Sequence, residues 1–184
     1  VMITLKNTEL QHVTPESVGV KSSAIKAFVD EINSKKLGLQ SFTMVRHDKV
    51  FAQGFWKPYA ADIPHVLYSM SKSVTSTAVG FAVDEGLISL DDKVCKFFPE
   101  YFAAKLPINK ALTVRMLLTM RSDKFITVFD EKGGKDWIKQ FFDAGYMMPP
   151  NTKFNYISEN TFMLSAIVSK VTGMSVADYL YPRM

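Results

Sequence analysis

The chain has 184 residues, of which 47% are hydrophobic and 22% charged, with a formal net charge of +4. That size and balance describe a globular chain with a core of its own and exclude intrinsic disorder. Lys and Arg are scattered without a basic stripe, which argues against nucleic acid as a partner, and no apolar run reaches the ~18 to 20 residues of a membrane span.

The N-terminus "VMITLKNTELQHV" lacks the charged-then-apolar layout of a signal peptide. Ile25, Phe28, Val29 and Ile32 then recur at helical spacing, predicting a helix with one buried stripe, capped by Ser22 or Ser23 and ended by Gly38. "SFTMVR" and "VFAQGFW", joined by "HDK", predict a β-hairpin with Asp48 in its turn. A lone hairpin leaves two unpaired edges, so further strands are expected.

From Ser69 the pattern turns helical, over 71–85, 113–120, 136–143, 160–172 and 175–181, with "LISLDDKVCKFFPEY" as a connection and "KGGK" and "MMPPNTKF" as loops. Two segments result: 1–62 with the first helix and hairpin, and 63–184, mainly helical. Cys95 is the single cysteine and excludes an internal disulfide. That usage suits the cytosol, and a periplasmic or secreted site would require a leader already removed.

The stretch "YSMSKSVTSTAVG" places Ser69 three residues before Lys72. Such a pair arises about once by chance in a chain this size. A second pair, Ser23 and Lys26, falls on the polar side of the first helix. Ser69 and Lys72 instead introduce Ser73 to Val83, a segment with no charge, which predicts a buried helix. A lysine there is costly unless its charge is used, and at i and i+3 it lies within hydrogen-bond reach of the serine. Free backbone N–H groups of the same turn could meet an oxyanion. The alternative is a capping serine and a lysine that snorkels to solvent. Tyr156, before a predicted helix and behind a Pro-rich loop, is either a packing residue or an acid-base group, with Ser158 two positions on.

With "SMSK" and "YIS" 87 positions apart, the chain resembles the serine β-lactamase and penicillin-binding superfamily. It is most similar to the class C-like branch that holds family VIII carboxylesterases and 6-aminohexanoate-dimer hydrolases. "TPESVGV", "TVRMLLTM", "PNTKFNY" and "LSAIVSKVTGMSVADYL" carry the same resemblance. It implies an α+β, β-lactamase/transpeptidase-like fold, with this chain as the N-terminal part and the C-terminal strands supplied by the rest of the protein or by another chain. It also implies Ser69 as acyl-accepting nucleophile, Lys72 as its proton partner, Tyr156 as acid or base toward the leaving group, and Ser158 as a substrate contact.

Lys72 and Tyr156 both titrate near 10 unperturbed, so either must shift by about 2 to 3 units to act as base near neutrality, and sequence leaves the choice open. Ser158 stands where β-lactamases carry asparagine, which favours a serine hydrolase of small esters or amides over a β-lactamase or D-alanyl-D-alanine peptidase. A catalytically silent binding homologue is the reading from another class. In "TMRSDKF", Asp123 replaces the glycine of the pattern. The third motif is absent, since "KGG" at 132–134 precedes Tyr156 and lacks the hydroxyl residue. His12, His47 and His65 are isolated, so neither a metal nor another cofactor is expected.

Overall fold

The computed structural model describes residues 10–101, 107–125 and 134–184, and these divide into one unit ending at Val66 and another spanning Leu67–Met184.

In the first unit, β1 (Gln11–His12) precedes α1 (Ser22–Ser34), which leads into β2 (Ser41–Arg46) and β3 (Lys49–Phe55). β2 and β3 form the expected antiparallel hairpin. It turns on two residues, His47 and Asp48, both left-handed with φ of 52° and 58°, which matches the twist of a tight hairpin. Lys49, expected in the turn, already pairs with Arg46. β1 runs parallel to β3, giving the order β1-β3-β2 and covering one edge of the hairpin. A two-residue strand is too short to show alternation and so is not legible as a pattern.

α1 departs from expectation at both ends. Neither Ser22 nor Ser23 caps it: the N-cap is Lys21, and the Glu16 carboxylate accepts from the Ser22 N–H at 2.7 Å. The helix also stops at Ser34, short of Gly38, because Lys36 has turned left-handed at φ 50°. Its apolar stripe is half-buried rather than buried. Phe28 meets the Phe42 ring edge-on at 5.3 Å, Phe42 packs on Trp56 at 5.9 Å, and the Trp56 indole donates to Asn33 Oδ1 at 2.7 Å. Ser23 and Lys26 are exposed as expected, with Lys26 paired to Asp30.

The second unit holds α2 (Ser71–Asp84), α3 (Val94–Phe97), α4 (Val114–Leu118), α5 (Trp137–Asp143), α6 (Ser158–Thr172) and α7 (Val176–Leu180). Only α3 was read as mere connection; four residues give too little periodicity. α6 is the central helix, packing against α2, α3, α4, α5 and α7. Ala78, Val79 and Ala82 of α2 and Met163, Leu164, Ile167 and Val168 of α6 belong to one buried cluster, whose removal from water is the main stabilising term.

The expectation of a buried α2 holds for one face only. Ser73, Ser76, Thr77 and Gly80 are exposed, and Lys72 is partly so. Absence of charge misled because hydroxyls can satisfy themselves on their own helix: Thr75 and Thr77 donate to the carbonyls of Ser71 and Ser73.

Candidate active site

Ser69 lies in a short 3-10 turn, Tyr68–Met70, that runs directly into α2. The turn is entered through Tyr68 at φ 45°, a left-handed conformation unusual for an aromatic residue and costing about 1 to 3 kcal/mol. The Tyr68 side chain is 82% exposed, so packing does not offset that cost locally. Hydrogen bonds hold the turn instead: Ser71 Oγ donates to the Tyr68 carbonyl at 2.6 Å and Met70 N–H to the Leu67 carbonyl at 3.0 Å. Of the backbone N–H groups of this turn, that of Met70 is therefore already used.

Lys72 rises one turn later, and its Nζ donates to Ser69 Oγ at 3.1 Å. Tyr156 donates to the same oxygen at 2.9 Å. Lys72 Nζ also stands 5.1 Å from the centre of the Tyr156 ring. The three side chains singled out from sequence thus converge on one oxygen. The Tyr156 phenol is held below the usual tyrosine range, first by its hydrogen bond with Ser69 and next by Lys72, while burial opposes the shift.

Ser158 opens α6 and is half-buried; among the described residues no hydrogen bond links it to Ser69, Lys72 or Tyr156. His65 packs edge-on against the Tyr59 ring at 4.5 Å. Lys132 and Gly133 of "KGG" lie outside the described residues, and Gly134 is exposed.

What sequence reasoning missed is how Tyr156 is delivered. The loop ahead of it, 147–155, is clasped by the segment 120–124. Asn155 N–H donates to the Met120 carbonyl at 2.7 Å, Asn151 N–H to the Arg121 carbonyl at 2.8 Å and Met147 N–H to the Asp123 carbonyl at 2.9 Å. Side chains add to the clasp: Arg121 Nε donates to Asn151 Oδ1 at 2.7 Å, and Asp123 Oδ2 accepts from the Thr152 and Lys153 amides at 2.9 and 3.2 Å. Asn160 of α6, fully buried, donates to Met120 Sδ at 3.5 Å. Met120 and Asp123 are both left-handed at φ 55°. The one signal available in sequence was Asp123 itself, a short polar residue where the pattern has glycine, since such residues tolerate that conformation and accept backbone hydrogen bonds.

Residues 25–184 match the Beta-lactamase family model, and the chain belongs to that family. It is 29% identical over 174 residues to Penicillin-binding protein 4 of Amycolatopsis lactamdurans, covering 90% of this chain and 42% of that protein. It is 24% identical over 196 residues to 6-aminohexanoate-dimer hydrolase of Paenarthrobacter ureafaciens, covering 93% of this chain and 49% of the relative. The chain therefore spans less than half the length of either. A penicillin-binding protein homologue from Caulobacter crescentus shares the fold with a TM-score of 0.68 at 19% identity, over 95% of this chain and 49% of that one. The β-lactamase/transpeptidase-like fold expected from the motifs is borne out.

Proposed function

We propose that this chain carries the nucleophilic centre of a serine hydrolase that cleaves small esters or amides through an acyl-enzyme on Ser69. The observation that carries the reading is the convergence of Lys72 Nζ and Tyr156 OH on Ser69 Oγ, at 3.1 and 2.9 Å. A serine hydroxyl is a weak nucleophile until a neighbour takes its proton. When either partner is deprotonated, its bond to Ser69 reverses and the hydroxyl becomes the donor.

Ser69 Oγ then attacks the acyl carbon as its proton passes to the base, and the carbonyl π electrons move onto the oxygen. Collapse of that intermediate expels the alcohol or amine, which takes a proton from the Lys72–Tyr156 pair. Water, giving its proton to the same pair, attacks the ester on Ser69, and Ser69 Oγ takes that proton back as its bond to the acyl carbon breaks and the acid is released. The lowered phenol favours Tyr156 as the base, with Lys72 as the cation that keeps the phenolate ionised. Ser158, at the start of α6, is assigned to the substrate, and no metal or other cofactor enters the scheme.

The named activity of the 6-aminohexanoate-dimer hydrolase relative supports amide cleavage. The penicillin-binding relative supports a second reading, a β-lactamase or D-alanyl-D-alanine peptidase acylated by a β-lactam. Treating the full-length protein with a fluorophosphonate, and separately with a chromogenic β-lactam, then reading intact mass, separates the two. One phosphonyl adduct on Ser69, formed with loss of fluoride, is expected. A folded protein that takes up neither probe at Ser69 would overturn the hydrolase reading and favour a silent binding homologue.

A further inference from the structure

We propose that Asp123 is a positioning residue for Tyr156: its buried carboxylate grips the loop that presents the phenol to Ser69. The inference rests on the role given to Tyr156 above and deepens it.

Two properties of position 123 combine here. The backbone is left-handed, with φ 55°, a conformation that a glycine adopts freely and that Asp and Asn tolerate better than other residues. A glycine would therefore satisfy the turn, but it would take the side-chain acceptor from the Lys153 amide and leave the Thr152 amide to the Pro149 carbonyl, 3.2 Å away. Asp123 keeps the turn and adds a carboxylate only 1% exposed, with Oδ2 placed 2.9 Å from the Thr152 amide and 3.2 Å from the Lys153 amide. Those amides precede Tyr156 by four and three residues. Hydrogen bonds from backbone N–H to a carboxylate are among the stronger ones, and burial strengthens them further.

The other clasp contacts do not replace this one. Those at Met120 and Arg121 hold Asn155 and Asn151 through main-chain carbonyls, and the Arg121 side chain acts at Asn151 in an exposed setting. Thr152 N–H and Lys153 N–H are the loop's donors to Asp123 Oδ2. Without that oxygen the stretch between Asn151 and Asn155 keeps the Arg121 Nη2 bond to the Thr152 carbonyl at 3.4 Å and the Thr152 amide bond to the Pro149 carbonyl at 3.2 Å, but Lys153 loses its grip, so the chain is held more loosely and the phenol with it. Displacements of about 1 Å at a reacting group cost on the order of 100-fold in rate.

The test is a cycle of four full-length proteins, wild type, Asp123→Gly, Tyr156→Phe and the double variant, read by the rate of fluorophosphonate labelling at Ser69. Glycine suits the backbone conformation, so the variant removes the carboxylate without imposing strain. Asp123→Gly is expected to slow labelling about 10- to 100-fold when Tyr156 is present and about twofold or less when Phe replaces it, because the loss acts through the phenol. Asp123→Asn, which keeps an oxygen at the same place, is expected to recover most of the rate. Equal slowing in both backgrounds would make Asp123 a general structural residue and overturn the proposal.

Amide hydrogen exchange gives a readout independent of turnover and of variant folding. The Lys153 amide is expected to be protected in the wild-type protein beyond its neighbour Phe154, and rapid exchange there would overturn the clamp; Thr152 also bonds the Pro149 carbonyl, so its protection alone decides nothing. Should wild type take up no probe at Ser69, the hydrolase reading fails separately, and the exchange result still decides the clamp.

Discussion

Lys124 Nζ lies 4.3 Å from the centre of the Tyr146 ring, with the lysine entirely out of solvent. The ammonium donates to Asn109 Oδ1 and to the Ala144 carbonyl, both at 2.9 Å, and Tyr146 OH donates to the same Asn109 oxygen. Burial pushes the Lys124 amine down from 10.5 to about 7 and pushes the Tyr146 phenol up.

Between about pH 7 and 10.5 the unfolded chain therefore holds a proton on Lys124 that the folded chain has lost. Stability must rise with pH across that window, at up to about 1.4 kcal/mol per unit, and level off below 7, where both states hold the proton, and above 10.5, where neither does. Lys124→Met is expected to flatten the rise. Denaturant unfolding at several pH values checks this, and an equal slope in the two proteins would show that Lys124 is not desolvated as described.

Ser69→Ala is expected to lower hydrolysis by about 1000-fold or more with no change in thermal unfolding, since the side chain is exposed and outside the core. Ser23→Ala, on the outer face of α1, is expected to leave the rate unchanged. Activity surviving the first substitution, or lost in the second, would place the nucleophile elsewhere.

The Tyr156 phenol should respond to both of its neighbours. The hydrogen bond with Ser69, and the hydrogen bond and charge of Lys72, all lower it, so Lys72→Met and Ser69→Ala are each expected to move its titration upward. Phenolate absorbance, with Tyr156→Phe as the blank, follows both. The rising limb of the labelling rate should move to higher pH in Lys72→Met; a limb that stays in place while the phenol moves would assign the base to another group.

Gly54 is a packing requirement of the hairpin. A Cβ there would come within 2.5 Å of Phe42 Cε1, and the Phe42 ring is already held between Phe28 and Trp56. Gly54→Ala is expected to destabilise the protein by about 1 to 3 kcal/mol, with partial recovery when Phe42→Leu makes room. Calorimetry of the single and double variants reads the effect.

The elements legible in the sequence were those long enough for period and punctuation to agree. α2 and α6 showed as apolar repeats with breakers on either side, and the hairpin as two β-prone runs around Asp48. Ser69, Lys72 and Tyr156 showed because an i, i+3 pair at a helix start, with a tyrosine at another helix start, fits a known chemistry. β1 and α3 stayed hidden because two or four residues carry no period. The Glu16 cap, the outward face of α2 and the clasp on 147–155 stayed hidden for another reason: each depends on a partner distant in sequence or on how far a side chain is covered. Asp123 was noticed only as a departure from a pattern, and its neighbours in space gave it a use.

The side chains immediately around Ser69 Oγ carry little of the core. Tyr68 and Met70 flank Ser69 with 82% and 64% of their surface exposed, and Phe154, two residues before Tyr156, is 68% exposed. Ser69 and Tyr156, by contrast, adjoin the N-terminal ends of α2 and α6, whose inner faces belong to the buried cluster. Residues 70 and 154 can therefore vary in size and polarity while the helices stay where they are, whereas residue 68 must keep a left-handed backbone at φ 45°. Such a division between fixed helices and an exposed rim makes positions 70 and 154 the place where a library for altered selectivity should begin.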